Sequence, residues 1–457
     1  MPHHAQVYGR ALKAWPGQDE FMMKIRGSYP PRCTEALPGA CAGALAARPS
    51  TAGGCAASRP GGRRAGEGLG GMSVIPDAQL TTAGFATTVV QQSGVGDFDA
   101  TALKRKLAGR IAYVGAIVDE TSESFFLLTA PKDLETALQV FWLNATAPRL
   151  DTAAVAAFRS QMRNALVNRN ADPATAFQDT ITATITRNSP RARPLTAERL
   201  DAEFDPRGAL AIYRDWFHDY GEFTFVVVGN VNVDSLRPRI AQWLGGLPAT
   251  GQKRTWKDVQ PLPPEGVISK TVRKGKEPVS EQLLVFTGPT QVANAERDLA
   301  ATAAAQILEQ RLLDTLREAM GATYGVSVSS TIERVPRKGY RTLIKFNSAP
   351  KQADTLWQSA QHIIATLRDD GPTSDELQKF VAQARRETEV AVKTNDWWLG
   401  EISNRVMPDA GEAGRPLPEM LQWGKRLDAL TTAAVREAAR VVLDPARVAR
   451  FVLLPEN

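Results

Sequence analysis

Residues 293–330 read ANAERDLAATAAAQILEQRLLDTLREAMGATYGVSVSS, and the fold follows from how this stretch divides. Up to Met320 it contains neither Gly nor Pro and is built from strong helix formers. Leu299, Ala303, Ile307, Leu308, Leu312 and Leu316 recur at three- and four-residue spacing, which is one buried helix face. Gly321 then ends the helix, because a residue without a Cβ takes the left-handed turn that others resist. Tyr324, Val326 and Val328 alternate with Gly325, Ser327 and Ser329, the period of a half-exposed strand. Arg317 therefore sits in the last helical turn and Tyr324 opens a strand, with a tight turn between them. Such a turn can aim a guanidinium and a phenol into one space. Taken alone, an Arg and a Tyr seven residues apart mean only a helix-end charge near a packed aromatic.

The neighbouring stretches give the pair a context. The segment from Arg317 to Val326 resembles the Arg/Tyr segment in the C-terminal half of the pitrilysin/insulinase-type zinc peptidases, the inverzincins, whose metal site is H-x-x-E-H. The strand 222–230, with its Gly-Asn end, then a helix and Leu247-Pro248, also resembles that family. SGVGDFDATALKRKLAG at 93–109, followed by APKDLETALQVF at 130–141, is similar to its bacterial branch. The resemblance covers residues 72–457 and implies an α+β fold: two tandem α/β domains, each a mostly antiparallel sheet with helices packed mainly on one face. In that family two such halves close like a clam shell, with zinc in one and the Arg/Tyr pair in the other.

Size and composition agree with a globular body. A chain of 457 residues holds two or three domains, and 43% hydrophobic with 23% charged residues is ordinary for a soluble protein. The formal charge of +6 invites a nucleic-acid reading, but residues 1–72 carry nine Lys/Arg against four Asp/Glu, leaving the remainder at +1. The body offers no phosphate-binding face, and no nucleic-acid partner is expected. No apolar run is long enough for a membrane span. Cys33, Cys41 and Cys55 all fall in the first 55 residues, match no zinc spacing and cannot all pair within the chain.

Residues 1–71 form the least regular part. One strand-like piece, 20–26, precedes a Pro-, Ala-, Gly- and Arg-rich stretch that cannot bury enough apolar surface to offset its ordering entropy, so this segment is expected to be mostly disordered. It also reads as GC-rich DNA translated out of frame, which leaves the true start codon open. No uninterrupted apolar core follows the N-terminal basic residues, so a signal peptide is not expected as written. The compartment is left open, with the periplasm implied by the family resemblance if the N-terminus is misassigned.

From Met72 the pattern is regular. Helices are expected at 78–92, 99–107, 132–145, 151–169, 172–186, 196–204 and 207–216, the last two leading to the buried strand at 222–230. Asp234 is expected to cap the next helix, which ends at Gly245-Gly246. These elements make a first α/β domain at 72–248. Residues 249–266 are polar and Pro-rich, a linker. The second domain, 267–457, brings two strands, the central helix, the Tyr324 strand and a partner at 340–347. Helices follow at 351–367 and from the capping box at Thr373–Glu376, then a last helix at 431–443 and a strand at 448–454. Trp397 and Trp398 read as packing residues. Each domain carries a helix pair and a late strand, a weak internal repeat.

The chemistry is narrowed by what the motifs lack. A zincin needs two imidazoles on one helix face and a carboxylate base. The only histidines are His3, His4, His218 and His362, none in an H-x-x-E-H motif. His218 with Glu222 falls at a helix-to-strand junction and has no second imidazole. The cysteines lie in the irregular segment, Gly94-Val95-Gly96 lacks the rest of a dinucleotide loop, and no Gly-x-Ser-x-Gly elbow occurs. No metal or cofactor is expected in this chain.

What remains is Arg317 and Tyr324. In peptide hydrolysis the carbonyl oxygen becomes negative in the tetrahedral state, and fixed donors lower that barrier. A phenol and a guanidinium suit this task, and Arg317 can also grip substrate backbone. The resemblance implies that catalytic and substrate-binding role for both residues. It also implies that zinc sits in a partner subunit or domain bearing H-x-x-E-H, with a peptide as substrate and this chain inactive alone. The alternatives are a non-catalytic scaffold of the same family and a truncated or frameshifted fragment.

Overall fold

The computed structural model describes residues 6–10, 22–26, 66–320, 325–406 and 422–456. Two sheets organise them. The first contains β1 (Gln6–Arg10), β2 (Met22–Arg26), β3 (Gly66–Leu69), β4 (Ala112–Val118), β5 (Ser122–Thr129) and β6 (Thr224–Val227), in the order β1-β2-β6-β3-β5-β4 and antiparallel throughout. The second contains β7 (Gly266–Arg273), β8 (Ser280–Pro289), β9 (Val326–Glu333), β10 (Gly339–Ser348) and β11 (Arg447–Leu454), in the order β7-β11-β8-β10-β9. Only β7 and β11 run parallel.

The fold is α+β, and it repeats. In each half a strand leads through helical chain to an antiparallel hairpin, then through several helices to a strand beside the first: β6-β3-β5-β4 matches β11-β8-β10-β9. The sequence carries the local reasons. Asp99, Asp151 and Asp172 each accept the N–H groups of a first helical turn, Pro173 fills a position where no N–H is needed, and Thr373 with Glu376 forms a reciprocal capping box. One expected cap moves: Asn232, not Asp234, accepts Ser235 N–H at the start of the helix Val233–Trp243, because Asn232 holds the extended backbone a cap requires.

Three pieces of the segment expected to be mostly disordered are strands of the first sheet. β2 pairs with β6, and β3 lies between β6 and β5, matching Gly66 to both Phe225 and Phe125. Backbone pairing supplies what the side-chain composition does not. The rest of residues 1–65 lies outside the described residues.

The halves exchange helices. Phe177 and Ile181 of the helix Pro173–Ile185 pack on Val285, Ala449 and Phe451 of the second sheet. In return, Leu399 and Ile402 of the helix Asn395–Val406 pack on Val226 of β6 and on Val228 just after it. Strand alternation makes this possible: Phe225 faces the first half's own core while Val226 faces the borrowed helix, and Leu284 and Val285 divide in the same way. Trp397 and Trp398 belong to this packing, edge to face at 4.9 Å.

The chain between the halves, 249–265, contains no helix or strand, yet it is bonded to both sides. Thr250 donates to Asp219, and Lys257 N–H donates to Ser73 Oγ at 3.0 Å in the first half. Arg337 of the second half grips Asp258 at 2.7 Å and donates to the Gln260 carbonyl. It is a strap.

Candidate functional site

The helix Ala295–Met320 is the longest among the described residues. Asn294 Oδ1 accepts Arg297 N–H at 2.8 Å to start it, and Glu296 and Asp298 favour its N-terminal dipole. Its inner face, Ala300, Ala303, Ala304, Ile307, Leu308, Leu312 and Leu316, is buried in the second core. Two polar bonds fix the outer side. Arg311 grips Glu376 through Nε and Nη2 at 2.6 and 2.7 Å, and this guanidinium holds the Glu376 carboxyl down at about 2. Glu309 Oε2 accepts the N–H of Val328 on β9 at 2.7 Å.

The Glu309–Val328 bond brackets the stretch that contains Arg317 and Tyr324. Arg317 belongs to the helix Ala295–Met320, but its side chain lies outside the described residues, and so does Tyr324. Gly321, the expected helix stop, lies outside them too. Described chain resumes at Gly325, and β9 runs antiparallel to β10 from Val326.

Of the four histidines, His3 and His4 lie outside the described residues. His218 is exposed, with Nδ1 2.6 Å from the Asp215 carbonyl, and His362 lies on the exposed face of the helix Ala353–Asp370. Among the described residues no group of three or more His, Cys, Asp or Glu could hold a metal ion.

One charged centre had no sequence signal. Glu123, at the start of β5, is fully buried. Its Oε2 accepts Gly71 N–H at 2.7 Å, and its Oε1 lies 3.2 Å from Arg254 Nη1. Arg254 comes from the strap and also donates to the Asp215 and Trp216 carbonyls, both at 2.9 Å, ending the helix Pro206–Trp216. Gly71 has φ 58°, and a Cβ there would stand 2.3 Å from the Asp119 carbonyl oxygen, so the close approach to Glu123 needs glycine. Burial pushes the Glu123 carboxyl up to about 7, against the pull of Arg254 and the Gly71 N–H. A single Glu inside SESFFLL looks like any strand residue.

Residues 209–384 match the model of the peptidase M16 inactive domain. The chain carries an M16 peptidase inactive domain. The M16 match begins in the helix Pro206–Trp216, crosses β6 and the strap, and ends within the helix Ser374–Ala391, so Arg317 and Tyr324 both fall inside it. Among curated proteins the chain is 26% identical over 344 residues to "Zinc protease PQQL-like" from Arabidopsis thaliana, covering 71% of this chain and 35% of that one. The crystal structure of the periplasmic protease PqqL from Escherichia coli superposes with a TM-score of 0.72 at 21% identity, covering 86% of this chain and 42% of PqqL. The M16 inactive domain from Pseudomonas fluorescens gives 0.62 at 17% identity, covering 86% of this chain and 92% of that one. The chain thus spans well under half the length of the zinc-protease relatives and nearly all of a structure that is itself an M16 inactive domain.

Proposed function

We propose that this chain is the non-metal half of an M16 zinc metallopeptidase, supplying Arg317 and Tyr324 to a peptide-hydrolysis site completed by an H-x-x-E-H domain or subunit. The observation that carries this reading is the M16 inactive-domain match running through the helix Ala295–Met320 and β9, with both residues at the junction of those elements. The sequence holds no H-x-x-E-H motif, and on this reading the metal belongs to the partner. This half's task is electrostatic: a phenol and a guanidinium stabilise the oxyanion, and the guanidinium also holds peptide backbone. The periplasm is proposed as the compartment on the likeness to Escherichia coli PqqL.

The test mixes the purified full chain with a zinc-loaded H-x-x-E-H half of M16 type, the product of a neighbouring gene first, and follows cleavage of an unstructured peptide. Activity should appear only in the mixture, and Tyr324→Phe should lower kcat by roughly a hundredfold or more, the usual loss for one oxyanion donor. Arg317→Ala should lower kcat and raise KM as well. A stable complex that never cleaves would replace this reading with a scaffold role, which the description of the matched domain as inactive also favours.

A further inference from the structure

The internal repeat is complete except at one end of the second sheet. In the first sheet β2 lies beside β6, and β1 lies beyond β2. In the second sheet β7 lies beside β11, and among the described residues no strand lies beyond β7. This free edge is long: β7 runs eight residues, GVISKTVR, with no proline and an unbroken register on β11. Ile268 and Val272 turn toward the helix Pro173–Ile185, while Val267, Ser269, Thr271 and Arg273 are exposed, Val267 to 72%.

The backbone of that edge is open as well. Lys274 N–H turns inward to the Leu454 carbonyl of β11, so by strand alternation the outward N–H and C=O groups of β7 belong to Val267, Ser269, Thr271 and Arg273. At the other end of the same sheet Glu309 takes an N–H of β9. No side chain does this for β7 among the described residues. An open row of this kind is a template for another strand, and the usual guards are proline, a bulge or charge. β7 has charge alone, Lys270 and Arg273, and these two cations decide which strand fits.

We propose that β7 pairs antiparallel with β7 of a second copy of this chain, across a two-fold axis at Ser269, joining the two five-stranded sheets into one. Such a pairing must match outward residues with outward residues, so only odd-numbered positions can face each other there. Centred on Ser269, Thr271 meets Val267 of the second copy, and Arg273 comes level with its exposed Glu265, each twice over by symmetry. Lys270 then stands opposite Ile268. Moving the axis to Lys270 would set that ammonium against its own copy, and moving it to Ile268 would carry Arg273 past Glu265. Charge thus selects both the second copy and the register. A single strand pair is at the small end of specific interfaces, so the dimer is weak. It lies at the opposite end of the sheet from β9, and the proposal stands apart from the peptide-hydrolysis role.

Sedimentation velocity of the full chain over a rising concentration series should show a monomer–dimer equilibrium. Ser269→Pro removes an outward N–H that the ladder to β11 does not use, and should abolish the dimer while leaving the circular dichroism unchanged. Arg273→Glu should weaken the dimer about tenfold, because two attractive pairs become repulsive. Ser269→Cys reads the register. Facing Cα atoms stand about 5.5 Å apart in such a pair, within disulfide reach, so mild oxidation should link position 269 to itself across the axis, identified by peptide mass. If Ser269→Pro fails to fold, Arg273→Glu and the cross-link decide. A chain that stays monomeric throughout the series overturns the proposal, as does a dimer that survives Ser269→Pro or a cross-link that never forms. Slowed hydrogen exchange along β7 only when an H-x-x-E-H half is added would give the edge to that partner and overturn it too.

Discussion

The two halves run the same strand order but join their first strand to the hairpin by different means. In the second half one helix of 26 residues, Ala295–Met320, spans the gap from β8 to β9. In the first half the corresponding stretch is broken into short 3-10 turns and helices of 5, 8 and 7 residues, interrupted at Phe85 and again at Gly94 and Gly96, both with positive φ. The cores answer in kind. The unbroken helix offers five buried alanines, Ala300, Ala301, Ala303, Ala304 and Ala305, and meets Ala360, Ala438 and Ala439, so its neighbours approach closely. The broken half fills its core with large rings, Phe125, Phe141, Tyr213, Trp216 and Phe217 among them. One topology thus admits two packing solutions, and the straight helix lies in the half where Arg317 and Tyr324 sit.

The repeat also sets two buried groups in the same place. Glu123 lies opposite Gly68 on β3, and Tyr340 lies opposite Gly288 on β8, each at the start of the second hairpin strand. Glu123 is met by Arg254 and the Gly71 N–H, while the Tyr340 hydroxyl has no hydrogen-bond partner among the described residues. Desolvation raises both, Tyr340 to about 12.

The largest expected effects test whether the two cores are independent. Trp216→Ala removes a fully buried ring and the Nε1–H bond to the Gly71 carbonyl, and should cost about 4 kcal/mol. Leu312→Ala in the alanine-faced core should cost about 3 kcal/mol. Because each half lends the other a helix, urea unfolding followed by circular dichroism should show one transition, moved by either substitution. Two separate transitions, each answering to one variant, would mean that the exchanged helices do not couple the halves.

Next in size is the pH dependence of the charged member of the pair. Glu123 has a native value of about 7 against an ordinary 4.5, so the folded state holds its proton more tightly. The associated stability is fully present below pH 4.5 and is lost as pH rises through 7. Between pH 5 and pH 8 the loss amounts to about 2.5 kcal/mol. Glu123→Gln cannot ionise and should flatten the stability profile by about that much, gaining on the wild type at pH 8. Chemical denaturation of both proteins at the two pH values checks it, and an unchanged slope would remove Glu123 as the source.

Much of this fold was legible locally. The 3.6-residue period of Leu299 to Leu316, the Asp caps, the Thr373–Glu376 box and the apolar run before Gly229 each announce an element with its nearest neighbours alone. What escaped is nonlocal. Nothing in Phe177 or Leu399 says that its helix will be lent to the other half. Nothing in Glu123 says that a strap arginine 131 positions later will close over it. β1 and β3 were missed for the opposite reason: weak strand sequences are held by the backbones they pair with. Of the site, the positions of Arg317 and Tyr324 came from a motif, whereas the Glu309–Val328 bond that brackets them needed the tertiary structure.

That bond gives the smallest effect and the most local comparison. β4 and β9 are each an edge strand of their sheet, and a carboxylate takes a backbone N–H at each: Asp133 accepts Ile111 N–H at 3.0 Å just before β4, and Glu309 accepts Val328 N–H at 2.7 Å inside β9. A capped N–H cannot recruit a foreign strand, so the Glu309 contact guards its edge from within, whereas Ile111, whose carbonyl accepts Ala130 N–H, faces β5 and its contact only ties down the start of β4. Removing the inner guard should matter more. Glu309→Ala should cost about 1.5 kcal/mol and speed hydrogen exchange at Val328 roughly tenfold, since a bond to a charged acceptor is lost and the N–H is left to water. Asp133→Ala should affect only Ile111. Glu309→Gln keeps an acceptor oxygen and should retain most of the protection at Val328. If Val328 exchanges equally slowly in Glu309→Ala, the ladder to β10 alone holds the strand, and the two edges differ in nothing but sequence.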